Sequence, residues 1–217
     1  MYADRSDAGR RLARFVLEQL PGIETEDVAV LGLPRGGVPV AAEVATALHA
    51  PLDVVVARKL GVPGSPEVAM GAIASVGGEL AVAVNDEVRA LVDRRDGADA
   101  WAAALAREQA ELARRASAYR GARAPLTLAG RTVLLVDDGI ATGATMRAAA
   151  AAARQLKPAR LIAAVPVALG GLDTGVEASV DALICPWFAT TFLGVGQAYR
   201  DFGQTPDGEV RRLLETR

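Results

Sequence analysis

Two adjacent carboxylates, Asp137 and Asp138, end the apolar run Val133-Leu134-Leu135-Val136 and open a loop of small residues, Gly139-Ile140-Ala141-Thr142-Gly143-Ala144-Thr145. Such a run reads as a strand buried on both faces. The alanine-rich stretch from Met146 to Leu156 reads as a helix. Strand, acid pair, small loop and helix together have a chemical use. Small residues let backbone N–H groups approach an anion, and the N-terminus of the following helix adds partial positive charge. The acid pair would repel that anion, so it must face hydroxyls or a cation close by. The alternative is a generic strand end whose carboxylates only cap the next helix. Two acids, a Thr-Gly pair and a final Thr in register argue against it.

A second unit of the same kind lies earlier in the chain. Val28 to Leu33 reads as a buried strand, Pro34-Arg35-Gly36-Gly37 as a glycine-rich turn carrying an arginine, and a helix follows to about His49. Gly36 and Gly37 allow close backbone approach or positive φ. Alone, this is an ordinary βα turn with a surface arginine. Leu52 to Ala57 is the next predicted strand and delivers Arg58 and Lys59 at its end. Open α/β sheets bind ligands at the carboxyl ends of their strands; a pair of solvated surface cations is the other reading. Cys185, the sole cysteine, and His49, the sole histidine, have no partners at metal-binding spacing. No Ser–His or Cys–His arrangement indicates a triad hydrolase.

The elements that must position these residues alternate between strand and helix. Asp4 to Leu20 has Ala8, Leu12, Phe15, Val16 and Leu20 at helical spacing and ends at Pro21-Gly22. Leu60 to Glu67 is rich in Gly and Pro and reads as a loop. Val68 to Val84 reads as a strand pair broken at Gly77-Gly78. Asn85 to Arg123 reads as one long helical stretch, with Trp101, Leu105, Gln109, Leu112 and Ala116 on one side and Arg and Glu on the other. Pro125 and Gly130 bracket a connector into the central strand. Leu161 to Val167 and Ala182 to Cys185 are further strands, with a break at Gly170-Gly171 and a short helix from Leu172 to Ser179 between them. Trp187, Phe188, Phe192 and Tyr199 follow in a chain otherwise poor in aromatics, and Asp207 to Leu214 closes it as a helix.

At 217 residues the chain suits a single domain, residues 1-217, with room for a full core. The net charge of −2 argues against a broadly basic nucleic-acid surface. One cysteine excludes an intramolecular disulfide framework. The charged N-terminus is not a secretory signal, and no run reaches the about 18 apolar residues of a membrane span. A cytoplasmic protein that binds neither nucleic acid nor membrane is expected.

The stretch VLLVDDGIATGAT resembles the phosphoribosyl pyrophosphate signature of the type I phosphoribosyltransferases. LGLPRGG resembles that family's diphosphate loop, where a non-proline peptide bond is often cis. The PRGG loop, RKLGVPGSPE and VGQAYRDF together look like a bacterial group of predicted phosphoribosyltransferases, and the likeness spans nearly the whole chain. The resemblance implies an α/β fold with a central, mostly parallel sheet flanked by helices, a small hood over about 186-217 and a helical insertion at about 86-123. The insertion would be a cover or a dimer surface. It implies a glycosyltransferase of nucleotide metabolism, of the purine-salvage kind, working as a homodimer on phosphoribosyl pyrophosphate and a heterocyclic base.

Residue by residue, Asp137 and Asp138 would hold the ribose hydroxyls, and their charge would suit a cationic, oxocarbenium-like ring. Ala141, Thr142, Gly143, Ala144 and Thr145 would cradle the 5′-phosphate. Arg35, Gly36 and Gly37 would hold the diphosphate, joined by Arg58 and Lys59; Arg35 can fork two of its oxygens. Mg²⁺ is the implied cofactor, carried by the substrate near Asp137 and Asp138 rather than by a protein cage. The 60-67 loop would be a mobile lid, with Glu67 either assisting proton removal or sitting in a rigid turn. Trp187 or Phe192 would stack on the base, core packing of the hood being the alternative for each. The 6-oxopurine enzymes carry an acid where this chain has Ala141, as the adenine enzymes also have alanine. Gly139 is small where a bulkier apolar residue is usual. Two rivals stand beside transfer: a non-catalytic regulator sensing phosphoribosyl pyrophosphate or a nucleotide, and a phosphoribosyl-handling enzyme of other chemistry. The intact Arg35, Gly36, Gly37, Arg58 and Lys59 set favours the enzyme.

Overall fold

The computed structural model describes residues 1–23, 25–76, 79–97, 99–120, 126–170 and 175–215. Among them, strands β1 (Val28–Gly32), β2 (Leu52–Val62), β3 (Ser65–Val76), β4 (Glu79–Val84), β5 (Thr132–Val136), β6 (Arg160–Ala164) and β8 (Ala182–Ile184) form one seven-stranded sheet. Its order is β4-β3-β2-β1-β5-β6-β8. The five strands from β2 to β8 in that order pair in parallel, and β3 and β4 extend the sheet as antiparallel strands. The small strands β7 (Ala168–Leu169) and β9 (Phe188–Ala189) pair separately.

Strand periodicity sorts the core into two layers. In β5, Leu134 and Val136 join the layer built with helices α1 (Arg5–Gln19), α2 (Gly37–Leu48), α4 (Asp99–Arg120) and α6 (Asp207–Glu215). Val133 and Leu135 face the opposite layer, which holds α5 (Ala144–Arg154). All five residues of β1 are buried, as a central strand covered on both faces requires. Helix α1 starts where the Asp4 side chain accepts from the Asp7 N–H at 2.7 Å, and it buries Ala8, Leu12 and Val16. Helix α2 ends at His49, which takes φ 50°, and so the histidine serves as a C-cap.

Three expectations change. The predicted loop over 60-67 is a β-hairpin: β2 runs on to Val62, β3 starts at Ser65, and Val62 pairs with Ser65 across Pro63-Gly64. Pro63 presets the turn and Gly64 takes φ 75°, so the Gly- and Pro-rich composition marks one tight turn. The long helical stretch is two helices, α3 (Asp86–Asp96) and α4, separated at Gly97 with φ 85°. The buried side of α4 is also turned: Trp101, Ala104, Glu108, Leu112 and Tyr119 are buried, while Gln109 is half-buried. In the connection before β8 the described part of the expected helix is a short 3-10 turn, Glu177–Ser179, preceded by the non-helical Gly175 and Val176, while 172–174 and the breaks at Gly77-Gly78 and Gly171 lie outside the described residues. Pro125 and the insertion's end at 121–123 lie outside them too.

The hood is assembled from both ends of the chain. Tyr2 and Ala8 pack with Val167, Ala189, Ala198 and Tyr199, and Tyr2 forms a parallel bridge with Tyr199. Helix α6 leaves that cluster and buries Val210 and Leu214 in the layer of α1, α2 and α4.

Candidate active site

The central pair of strands sets the site. In β1 and β5, Gly32 pairs with Val136, and the Leu33 N–H donates to the Val136 carbonyl at 2.8 Å. The loops after these strands therefore leave the sheet side by side, at the carboxyl ends where open parallel sheets bind ligands.

The acid pair and the glycine-rich turn meet there. A Cβ on Gly36 would lie 2.0 Å from Asp138 Oδ2, and one on Gly37 would lie 2.6 Å from the Val136 carbonyl oxygen and 2.9 Å from Asp137 Oδ1. Both glycines have negative φ, so close approach of the two loops, and not positive φ, requires them. The Pro34–Arg35 peptide bond is cis.

The carboxylates are held differently. Asp137 Oδ1 accepts the Asp138 N–H at 2.8 Å. Burial, and then the neighbouring charge of Asp138, push the Asp137 carboxyl well above the usual carboxylate range. Burial also raises Asp138, against the pull of Arg5, whose Nε and Nη2 each lie 2.9 Å from Asp138 Oδ2. Arg5 is itself fixed, donating to the Gly203 carbonyl at 2.6 Å and lying 4.1 Å over the Phe202 ring. The Tyr199 hydroxyl donates to the Asp138 carbonyl. Arg5 and Tyr199 thus join the candidate site although Arg5 lies in no motif and Tyr199, within VGQAYRDF, carries no assigned role in the sequence reading. Arg5 sits in the first turn of a helix 133 positions away, and Tyr199 reads in sequence only as one aromatic among several.

After the pair, the Ile140 N–H donates to the Val167 carbonyl and the Leu169 N–H to the Ile140 carbonyl, pinning the loop to the hood. Gly143 takes φ 71° and turns the chain into α5. Ala141, Thr142, Ala144 and Thr145 are exposed around a cavity of about 160 Å³, lined also by Asp137 and Val195. Arg147 donates to the Thr142 carbonyl at 2.8 Å, which fixes the loop from behind. A Cβ on Gly139 would stand 2.5 Å from Val195 and 2.9 Å from Val167, so these hood valines fill the space that a bulkier residue would need.

Arg35 lines a second cavity, of about 100 Å³, with Leu33, Pro34 and Thr145, and its guanidinium is 3.8 Å from Asp207. Arg58 and Lys59 do not line it. Arg58 is bound by Glu108 of α4 through Nε at 2.8 Å and Nη2 at 2.7 Å, and Lys59 lines a groove with Ala144 and Arg147. Glu108 is only 8 % exposed; burial raises its carboxyl, but Arg58 and Arg107 outweigh that and hold it below the usual range. Trp187 and Phe192 pack edge to face at 5.2 Å between centroids, with Tyr2 against Trp187 at 5.9 Å. Neither lines the cavity at the small loop, whereas Val195 does. Cys185 is buried and its thiol is pushed up to about 11 by burial, which leaves it an inert core group. Among the described residues no group of three or more His, Cys, Asp or Glu could hold a metal, and no helix is long and apolar enough to cross a membrane.

A family model described as "Phosphoribosyl transferase domain" matches residues 2–179. Among curated proteins, "Putative phosphoribosyl transferase Rv0571c" of Mycobacterium tuberculosis (strain ATCC 25618 / H37Rv) is 46% identical over 215 residues. That match covers 99% of this chain and 46% of the relative, so the chain spans about half the length of the curated protein. Its counterpart MT0597 in strain CDC 1551 / Oshkosh matches over the same shares. Among solved structures, TT1426 from Thermus thermophilus superposes with a TM-score of 0.85 at 39% identity, covering 98% of this chain and 97% of that one.

Proposed function

The chain belongs to the phosphoribosyl transferase domain family, with the type I architecture, and from that premise we propose that it transfers the 5-phosphoribosyl group of phosphoribosyl pyrophosphate to a nitrogen of a heterocyclic base. The observation that carries this is the cavity at the end of β5, where Asp137 stands beside the open loop Ala141–Thr145 while Asp138 packs against Gly36.

The bond from C1′ to the diphosphate oxygen breaks, its electron pair leaving with diphosphate. The base nitrogen closes on the opposite face of C1′, and its proton leaves to solvent. Backbone N–H groups of the loop and the Thr142 and Thr145 hydroxyls anchor the 5′-phosphate, a remote contact that orients C1′. Asp137 and Asp138 hold the ribose hydroxyls, and an ionised Asp138 stabilises the positive charge that grows on the ring. Arg35 and the amides around Gly36 and Gly37 take the leaving group.

Magnesium belongs to the same proposal. Asp137 and Asp138, two adjacent carboxylates at the proposed ribose site, fit an ion that the substrate carries. Bound to diphosphate oxygens, the ion would neutralise the departing charge. A homodimer is also proposed, and exposed Val68, Leu80, Val84 and Leu91 are apolar surface that it could cover.

Ala141 leaves no acid where the 6-oxopurine enzymes have one, so we infer an acceptor that needs no proton transfer from that position, such as a 6-aminopurine. Diphosphate release measured against a panel of purines, pyrimidines and deazapurines tests the assignment. Release with one class establishes transfer and names the acceptor. Tight binding of phosphoribosyl pyrophosphate with no release for any base would move the protein to a regulatory role.

A further inference from the structure

The inserted helices are the part of the chain that the transfer reaction leaves without a role. One face of α4 answers this. Glu108, Leu112, Arg115 and Tyr119 follow one another at spacings of four, three and four residues, which places them in one stripe. Glu108 fastens the stripe to β2 through Arg58, and Leu112 is fully buried. Two and three turns beyond Glu108, Arg115 and Tyr119 line the cavity of about 100 Å³ whose other walls include Leu33, Pro34, Arg35 and Thr145. The insertion therefore closes the side of the glycine-rich turn that faces β2.

Two of the residues that line that cavity, Tyr119 and Arg35, already meet one anionic side chain. The Tyr119 hydroxyl donates to Asp207 Oδ1 at 2.9 Å, and the same oxygen is 3.8 Å from Arg35 Nη1. Asp207 is the first residue of α6 and belongs to the protein, so it occupies the place where these two donors converge. Arg115 is held by Glu111, at 2.6 Å, on a side chain that is 44% exposed. An exposed pair of this kind is worth little and yields to a ligand carrying more charge. Arg58, the cation that the sequence suggests for the leaving group, is committed to Glu108 in the same structure.

We propose that α4 forms one wall of the leaving-group site, with Arg115 binding the diphosphate and Tyr119 positioning Arg35 through Asp207. A guanidinium recognises two phosphate oxygens at once, which suits Arg115 to this ligand. The inference rests on the transfer reading above and adds to it the residues of the inserted helix.

Calorimetric titration of phosphoribosyl pyrophosphate, inorganic diphosphate and ribose 5-phosphate, each with Mg²⁺, tests it on wild type, Arg115→Gln, Arg115→Lys, Tyr119→Phe and the neighbouring control Arg114→Gln. Arg115→Gln is expected to weaken diphosphate and phosphoribosyl pyrophosphate roughly tenfold or more and to leave ribose 5-phosphate unchanged. Arg115→Lys should recover part of the loss, Tyr119→Phe should show a smaller loss of the same kind, and Arg114→Gln should match wild type. Unchanged diphosphate binding in Arg115→Gln, or an equal loss of all three ligands, overturns the inference while leaving transfer in place. Wild type that binds no phosphoribosyl pyrophosphate overturns the transfer reading, and this inference with it.

Discussion

Arg5 and Asp138, 133 residues apart in sequence, form a forked ion pair in which two guanidinium nitrogens each lie 2.9 Å from one carboxylate oxygen. Burial raises Asp138, and Arg5 is the main influence opposing it. Removing Arg5 should therefore push Asp138 further up and move the acidic limb of the pH–rate profile to higher pH. Arg5→Ala is expected to lose about tenfold of transfer at neutral pH, in line with about 1.5–3 kcal/mol for a charged hydrogen bond, with Arg5→Lys in between. An Arg5→Ala profile that overlays wild type would deny Arg5 any part in ionising Asp138.

Asp137 should cost stability at neutral pH. Its folded-state pKa lies well above the ordinary value, so the native state binds a proton that the unfolded chain releases near about pH 3.9. The stability from that proton is complete below the unfolded value and is lost as pH rises towards the folded one. Asp137→Asn keeps an oxygen for the Asp138 N–H and removes the ionisation. The variant is expected to melt higher at pH 7, by about 2–4 °C for each kcal/mol gained, and to converge with wild type below about pH 4, while transfer is lost. Equal or lower melting at pH 7 would contradict the assigned burial.

Gly36→Ala would place a methyl group 2.0 Å from Asp138 Oδ2 and 3.1 Å from Arg5 Nε, against the ion pair itself. The carboxylate must move. The expected result is a folded protein destabilised by about 1–3 kcal/mol that has lost most of its affinity for phosphoribosyl pyrophosphate. Unchanged affinity would mean that the position of Asp138 does not matter for binding.

The Arg58–Glu108 pair should behave as a structural tether. Arg58→Met strips a buried carboxylate of its forked partner and should destabilise by about 1–3 kcal/mol in urea unfolding. The double variant Arg58→Met with Glu108→Leu should recover most of that loss, because a buried ion pair can be replaced by apolar packing. Strict additivity of the two single changes would show that the pair is not coupled.

The local grammar of the site is legible in the residues themselves. Val133 to Val136 declares a buried strand by composition, and the acids and small residues that follow need only their immediate neighbours to make sense. The parallel sheet follows from the same alternation of strand and helix. Contacts made across the fold are not legible in this way. Arg5 and Tyr199 reach Asp138 only because the N-terminus and the tail meet in the hood. Pro63-Gly64 reads as part of a long loop because a tight hairpin turn uses the same residues as an irregular one. The buried face of α4 escapes the periodicity because Glu108, a charged residue, is buried by a partner fifty positions away on β2.

The most direct test of the account is a calorimetric titration of phosphoribosyl pyrophosphate with Mg²⁺ into wild type and into Asp138→Asn. The account predicts saturable binding to wild type and affinity at least roughly tenfold weaker in the variant, with both proteins folded. No binding to wild type, or equal binding to both, would contradict the assignment of the acid pair to the ribose of phosphoribosyl pyrophosphate.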